Sequence, residues 1–179
     1  MFPPASPAPV GATMVNGVVL DDNAQTALYQ RFGQRLPPGF FWYDRHCGAW
    51  GVQGGPAVGF TAVGVEIFAP LPANASGGGS GTTTGVFING REIHPLDYMA
   101  LQRLLGVILP GRYFVDAFGN AGFEGGPPVV NLLMLAQQGA GGGGGGYHRR
   151  TSSGYLGSNG STSYFFDPST GASVMSGGY

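Results

Sequence analysis

Lysine is absent from this chain, and all eight basic residues are arginine. Charged residues of either sign make up 9% of the sequence, where an ordinary soluble domain carries roughly a quarter. With a net charge of −1 there is no electrostatic footprint for a nucleic acid or an anionic membrane surface. A single cysteine, Cys47, excludes a disulfide within the chain and any zinc site built from several thiolates. No apolar run approaches the roughly 18–20 residues of a membrane span, so no transmembrane segment is expected. The opening MFPPASPAPVGATMV has neither a basic nor an apolar signal region. No cleavable signal peptide is expected, which makes the cytoplasm the default and leaves leaderless export to the cell surface open.

Glycine and aromatics are plentiful instead: 35 glycines, 14 prolines and 12% aromatic residues. Such a chain can bury a core, but in short elements separated by many turns. A surface so poor in charge gives little protection against association. The expected partners are copies of the chain itself or subunits of a larger complex.

The chain repeats itself. VNGVVLDDNAQTALYQRFGQRLPPGFFWYDRHCGAWGVQGGP matches INGREIHPLDYMALQRLLGVILPGRYFVDAFGNAGFEGGP with two gaps. Asn16-Gly17 falls on Asn89-Gly90, Gly33 on Gly106, Asp44 on Asp116, Ala49 on Ala121, and Gly54-Gly55-Pro56 on Gly125-Gly126-Pro127. Asn-Gly favours a tight turn because both residues tolerate positive φ. A short helix follows in each copy. Asp21 or Asp22 suits the first N-cap and Pro95 the first turn of the second, and Gly33 and Gly106 suit the ends. Leu28, Phe32, Leu101, Leu104 and Leu105 are the expected buried faces.

Each helix leads to an aromatic β-hairpin, and a third hairpin closes the chain: YDRHCGA, VDAFGNA and FDPSTGA share an apolar residue, Asp, variable positions, Gly or Asn, then Ala. Asp44, Gly48, Asp116, Asn120, Asp167 and Gly171 are therefore expected as turn residues. Arg45, His46 and Cys47 fill slots that hold Ala117-Phe118-Gly119 and Pro168-Ser169-Thr170 elsewhere, so the frame requires neither thiol nor imidazole. The bland reading is three exposed turn residues. The alternatives are an intermolecular disulfide or a cysteine hydrolase, for which the neighbouring residues supply no well-placed base. His94 is expected to cap or pack. No catalytic residue, metal ligand or cofactor is expected.

The fold class expected is α+β and β-rich: a duplicated helix–β-hairpin repeat at about 16–56 and 89–127, a third C-terminal β-hairpin, Gly/Pro-rich loops and extended arms. The finer division is an N-terminal arm at 1–14, repeat 1 at 15–60, and a strand with a Gly/Ser/Thr loop at 61–85. Repeat 2 occupies 86–138 and includes an apolar helix, a Gly-rich arm 139–162, and the last hairpin 163–179. Strand alternation makes both faces of the first hairpin aromatic, so both must be covered, by the helices and either a second sheet of the same chain or a partner or another subunit. Interface candidates are Phe40, Trp42, Tyr43, Trp50, Tyr113, Phe118, Tyr147, His148, Arg149, Arg150, Tyr164 and Phe166. The expected function is structural: self-assembly into a filament or lattice, or an accessory scaffolding subunit. Short aromatic hairpins with Tyr-Asp and Gly also resemble the repeats of choline- and glucan-binding proteins. The resemblance covers the three hairpins alone and departs from that family in its inserted helices. It implies a glycan-binding alternative, with Trp42, Tyr43 and Trp50 stacking on sugar rings.

Overall fold

The computed structural model describes residues 11–33, 35–66 and 69–139, and the strand backbones of 148–151, 154–158, 162–166 and 173–177. The two Asn-Gly pairs organise it. Asn16 and Asn89 adopt φ of 52° and 51°, followed by Gly17 at 79° and Gly90 at 91°. Two consecutive left-handed residues make the turn that suits the twist of paired strands. Each joins a short antiparallel pair, β1 (Thr13–Val15) to β2 (Val18–Val19) and, in the second copy, β6 (Val86–Ile88) to β7 (Arg91–Glu92).

A helix follows each pair. In α1 (Asp22–Phe32) the Asp21 carboxylate accepts from the N–H of Ala24, and Gly33 closes the last turn at φ 74°. In α2 (Pro95–Leu105) the His94 imidazole caps by accepting from the N–H of Leu96, and Pro95 opens the first turn. The chain then returns as β3 (Gly39–Tyr43), parallel to β1, and continues antiparallel as β4 (Ala49–Val52) and β5 (Gly59–Phe60). The second copy does the same with β8 (Gly111–Val115), β9 (Asn120–Phe123) and β10 (Val130–Asn131). The two five-stranded mixed sheets run β2-β1-β3-β4-β5 and β7-β6-β8-β9-β10, the same order in each.

The duplication is therefore longer than 16–56 and 89–127. Equivalent bonds begin at β1 and β6 and end where Thr61 N–H meets the Gly48 carbonyl and Leu132 N–H meets that of Gly119, both at 2.8 Å. Register also corrects one pairing. Tyr43 lies opposite Trp50, and Val115 opposite Ala121. Trp50, not Ala49, is thus the counterpart of Ala121, because the second tip is one residue shorter. Gly48 and Gly119, at φ 78° and 80°, are the matching left-handed glycines, and Asn120 begins β9 instead of occupying the glycine slot.

The first sheet is buried on both faces by its own chain. On one side Val15, Leu20, Leu28, Tyr43 and Val65 pack together. On the other, Trp42, Ala49 and Ala75 do, with Leu71 and Phe60 against them. The covering layer on the Trp42 side is the linker between repeats. The strand expected within AVGVEIFA, residues 62–69, is irregular at 62–66 and 69, and 67–68 lie outside the described residues. In the second copy α2 has no buried residue, Leu101 and Leu104 being half-buried and Leu105 exposed. The apolar helix is α3 (Leu132–Gly139), shorter than expected because β10 takes Val130 and Asn131. The expected glycine-rich arm carries β11 (His148–Thr151) and β12 (Gly154–Ser158). With β13 (Thr162–Phe166) and β14 (Ser173–Gly177) they form a four-stranded antiparallel sheet in chain order. The expected third hairpin is β13–β14, whose tip with Asp167 and Gly171 lies outside the described residues.

Gly51 and Gly122 occupy one structural position and face one constraint. A Cβ would stand 2.3 Å from the Pro56 carbonyl oxygen in the first copy and 2.4 Å from that of Pro127 in the second. Gly51→Ala and Gly122→Ala are each expected to cost roughly 2–3 kcal/mol through forced backbone movement. Chemical denaturation checks this; a midpoint equal to wild type for either would contradict the close approach.

Candidate functional site: the junction between the repeats

Glu92 is fully buried, in a chain with few charges. Its carboxylate accepts five backbone N–H groups, from Gly79, Gly81, Thr83, Thr84 and Gly85, at 2.5–3.0 Å. The loop SGGGSGTTTG is wrapped around this one side chain. A Cβ on Gly78 would stand 2.6 Å from Glu92 Oε2, so glycine lets the backbone close in. Burial alone would raise the carboxyl's pKa, but the N–H bonds from Gly79, Gly85, Thr84 and Gly81 outweigh it and lower it from 4.5 to about 2.

The preceding residues of the same hairpin reach the first repeat. The buried Arg91 guanidinium lies 4.0 Å above the Trp42 ring, donates to Ser76 Oγ at 2.6 Å and pairs with Asp97 at 3.1 Å. Asp97 in turn accepts from the Ala57 N–H at 3.0 Å. Cation–π contact and desolvation reinforce one another here, since Trp42 is itself wholly buried. Asn89 does two things. Its amide clasps the end of β8, accepting from Val115 N–H and donating to its carbonyl, and it also donates to Asp44 Oδ2 at 2.7 Å. Asn16 makes the same clasp on Tyr43, but its remaining donor goes to Ala69 O.

Asp44 is buried and accepts from His46 N–H, Cys47 Sγ and Asn89. Its counterpart Asp116 accepts from Phe118 N–H, Asn120 N–H and the Asn120 amide. Burial opposes ionisation of Asp116, but those bonds outweigh it and hold its pKa below the usual value. Cys47 is half-buried against the Trp42 cluster, which corrects the expectation of an exposed turn thiol. Burial first, and then the adjacent Asp44 charge, push its pKa well above normal, the opposite of an activated nucleophile. A cleft of about 140 Å³ runs beside Asn16, Asp44, His46 and Asn89. No group of metal-ligating side chains forms among the described residues, and no described helix is long and apolar enough to cross a membrane.

The aromatic candidates scatter. Trp42 and Tyr43 are core residues, not a binding surface. Burial raises the Tyr43 hydroxyl to about 12, and it donates to Ala62 O at 2.5 Å. Trp50 is half-buried in the α1-side core. Phe40 and Phe118 are exposed. Tyr113 is half-buried and stacks on exposed Phe123, ring centres 4.9 Å apart. No aromatic cluster unites them. Tyr147 lies outside the described residues. His148, Arg149 and Arg150 fall on β11, and Tyr164 and Phe166 on β13. Arg91, Glu92 and Asp97 are not among the sequence-derived candidates, and Asn89 is expected there only as a turn residue. The signal was available: NGREIHPLD gathers four charged or amide side chains in a sequence that has few.

No protein-family model matches this chain, and no solved structure does. A curated protein of Arabidopsis thaliana, extra-large guanine nucleotide-binding protein 1, is 35% identical over 94 residues. The match covers 51% of this chain and 10% of that protein, so the chain is similar to a small part of it.

Glu92 sets an acid limit. Its carboxyl has a lower pKa folded than unfolded, so its contribution is complete above about 4.5 and is lost as pH falls toward about 2. Glu92→Gln removes the charge and places an NH2 among donors; it is expected to cost roughly 3 kcal/mol at pH 7 and to flatten the loss between those pH values. Denaturation against pH checks both, and an unchanged acid profile would contradict the assignment. Cys47 is expected to be alkylated at pH 7 more slowly than a free thiol of ordinary pKa near ~8.5. Labelling as fast as that reference would contradict the burial.

Proposed function

We propose that this chain is a non-catalytic structural protein that works by docking: it assembles with copies of itself, or scaffolds a larger complex. The supporting observation is the contrast between the repeats. In the first, Trp42 and Asp44 are taken up by the junction, and Val18, Val19, Tyr29, Phe40 and Val52 are the large apolar side chains left exposed. In the second, Leu96, Met99, Val107, Leu109, Phe118, Phe123, Val129 and Met134 remain exposed. An apolar surface of this kind favours association, and few charges oppose it.

The relative's name supplies a rival reading, guanine-nucleotide binding, but the matched stretch is a tenth of that protein. In this chain the glycine-rich loop best suited to cradle a phosphate already directs five N–H groups at Glu92. The glycan reading loses its main side chains, because Trp42 and Tyr43 are buried. A cysteine hydrolase is disfavoured by the raised pKa of Cys47.

Light scattering of the purified chain over a concentration series, with electron microscopy of the same samples, tests the proposal. Mass rising with concentration is expected. A monomer at every concentration that also recruits no partner from lysate would contradict it.

A further inference from the structure

The junction within the chain is a docking of one repeat on another, and among the described residues its two halves recur at the outer ends without the junction's partners. The donor half is the Asn-Gly hairpin with the start of its helix: Asn89, Arg91 and Asp97. The acceptor half is the far face of the other sheet: Asp44, Trp42 and Ala57. Structural equivalence gives the outer donor as Asn16, Val18 and Ala24, from the matching turns and N-caps at Asp21 and His94. It gives the outer acceptor as Asp116, Phe114 and Pro128, from the matching ladders.

Exposure follows occupancy. Arg91 is 4% exposed, whereas Val18 at the free donor end is 51% exposed and Val19 beside it 42%. Trp42 is fully buried and Ala57 half-buried, whereas Phe114 is half-buried and Pro128 exposed. The polar clasps of the inner junction disappear from both free halves together. Val18 replaces Arg91 where Phe114 replaces Trp42. Ala24 replaces Asp97 where Pro128, which has no N–H, replaces Ala57. Asn16 turns to Ala69, and Asp116 is served by Asn120. The result is an apolar hairpin and an apolar face. Terminal repeats that close an array carry a polar outer surface, and an exposed edge strand is normally guarded by charge. Val18-Val19 on the edge strand β2 has neither.

We propose that copies of this chain associate head to tail, the β1–β2 hairpin of one seating on the Phe114–Pro128 face of the next, as β6–β7 seats on Trp42 and Ala57 within the chain. The proposal rests on the docking function above and specifies its surfaces. A heterologous contact of this kind propagates into rings or filaments.

The test is a mixing experiment on the full chain by sedimentation velocity. Val18→Glu spoils the donor end and Pro128→Glu the acceptor end. Both positions are solvent-exposed, and unchanged thermal midpoints confirm folding; Val18→Ser repeats the donor test without adding charge. Wild type is expected to form species beyond a dimer. Each Glu variant alone should associate at least about tenfold more weakly. An equimolar mixture of the two should stop at a dimer, because one intact donor meets one intact acceptor. If both variants assemble like wild type, the head-to-tail surfaces are wrong while the assembly function stands. If the mixture stays monomeric, the two surfaces are not each other's partner. If wild type itself is monomeric throughout, the self-association fails with it.

Discussion

Three side chains of one hairpin, Asn89, Arg91 and Glu92, hold the described structure together, and they do so because polar groups withdrawn from water must find partners. Asn89 fixes the end of β8 and reaches Asp44 in the other repeat. Arg91 covers Trp42 and pairs with Asp97. Glu92 gathers the linker around its carboxylate. The linker in turn lies over the far face of the first sheet through Leu71 and Ala75. Alternation along one short hairpin thus sends one side chain into the linker and its neighbour onto the first repeat.

This division explains why two copies of one fold have diverged. A tight Asn-Gly turn, a capped helix and a close Gly-to-Pro approach are needed by each sheet on its own, and they persist in both. Residues at the junction are needed only where repeat meets repeat. There the first copy keeps Trp42 and the second keeps Arg91 and Glu92, while the positions opposite have become Phe114, Val18 and Val19. The second core is also smaller, with Val115 and Ala121 where the first has Tyr43 and Trp50, which is consistent with a helix that buries nothing completely.

The repeat and most of its turns were legible in the sequence because they rest on local backbone demands: positive φ at Asn16 and Asn89 and a left-handed glycine at Gly48, though in the second tip that glycine is Gly119 and not the expected Asn120. Three things were not. Strands β1 and β6 have three residues each, too few to show a period, and one partner of each, β3 or β8, is parallel and distant. Matching Ala49 with Ala121 followed residue identity across a tip that is one residue shorter, and only the ladder register shows the slip. The covering of Trp42 came from an irregular linker, which no periodicity announces. The aromatic pattern therefore left open whether the chain itself or a partner covers that face, and the cover is the chain's own linker, through Leu71 and Ala75, instead of a second sheet. Likewise, a run of glycine, serine and threonine reads as flexible until the carboxylate that orders it is placed in three dimensions.

The junction's central demand is that this linker be ordered by Glu92, and amide hydrogen exchange measured by NMR tests it most directly. In a free glycine-rich loop, the amides of Gly79, Gly81, Thr83, Thr84 and Gly85 would exchange at the rates of an open chain. The five bonds to Glu92 predict strong protection, comparable to that of the β8–β9 ladder. Exchange of these amides at open-chain rates would contradict the account of how the two repeats are joined.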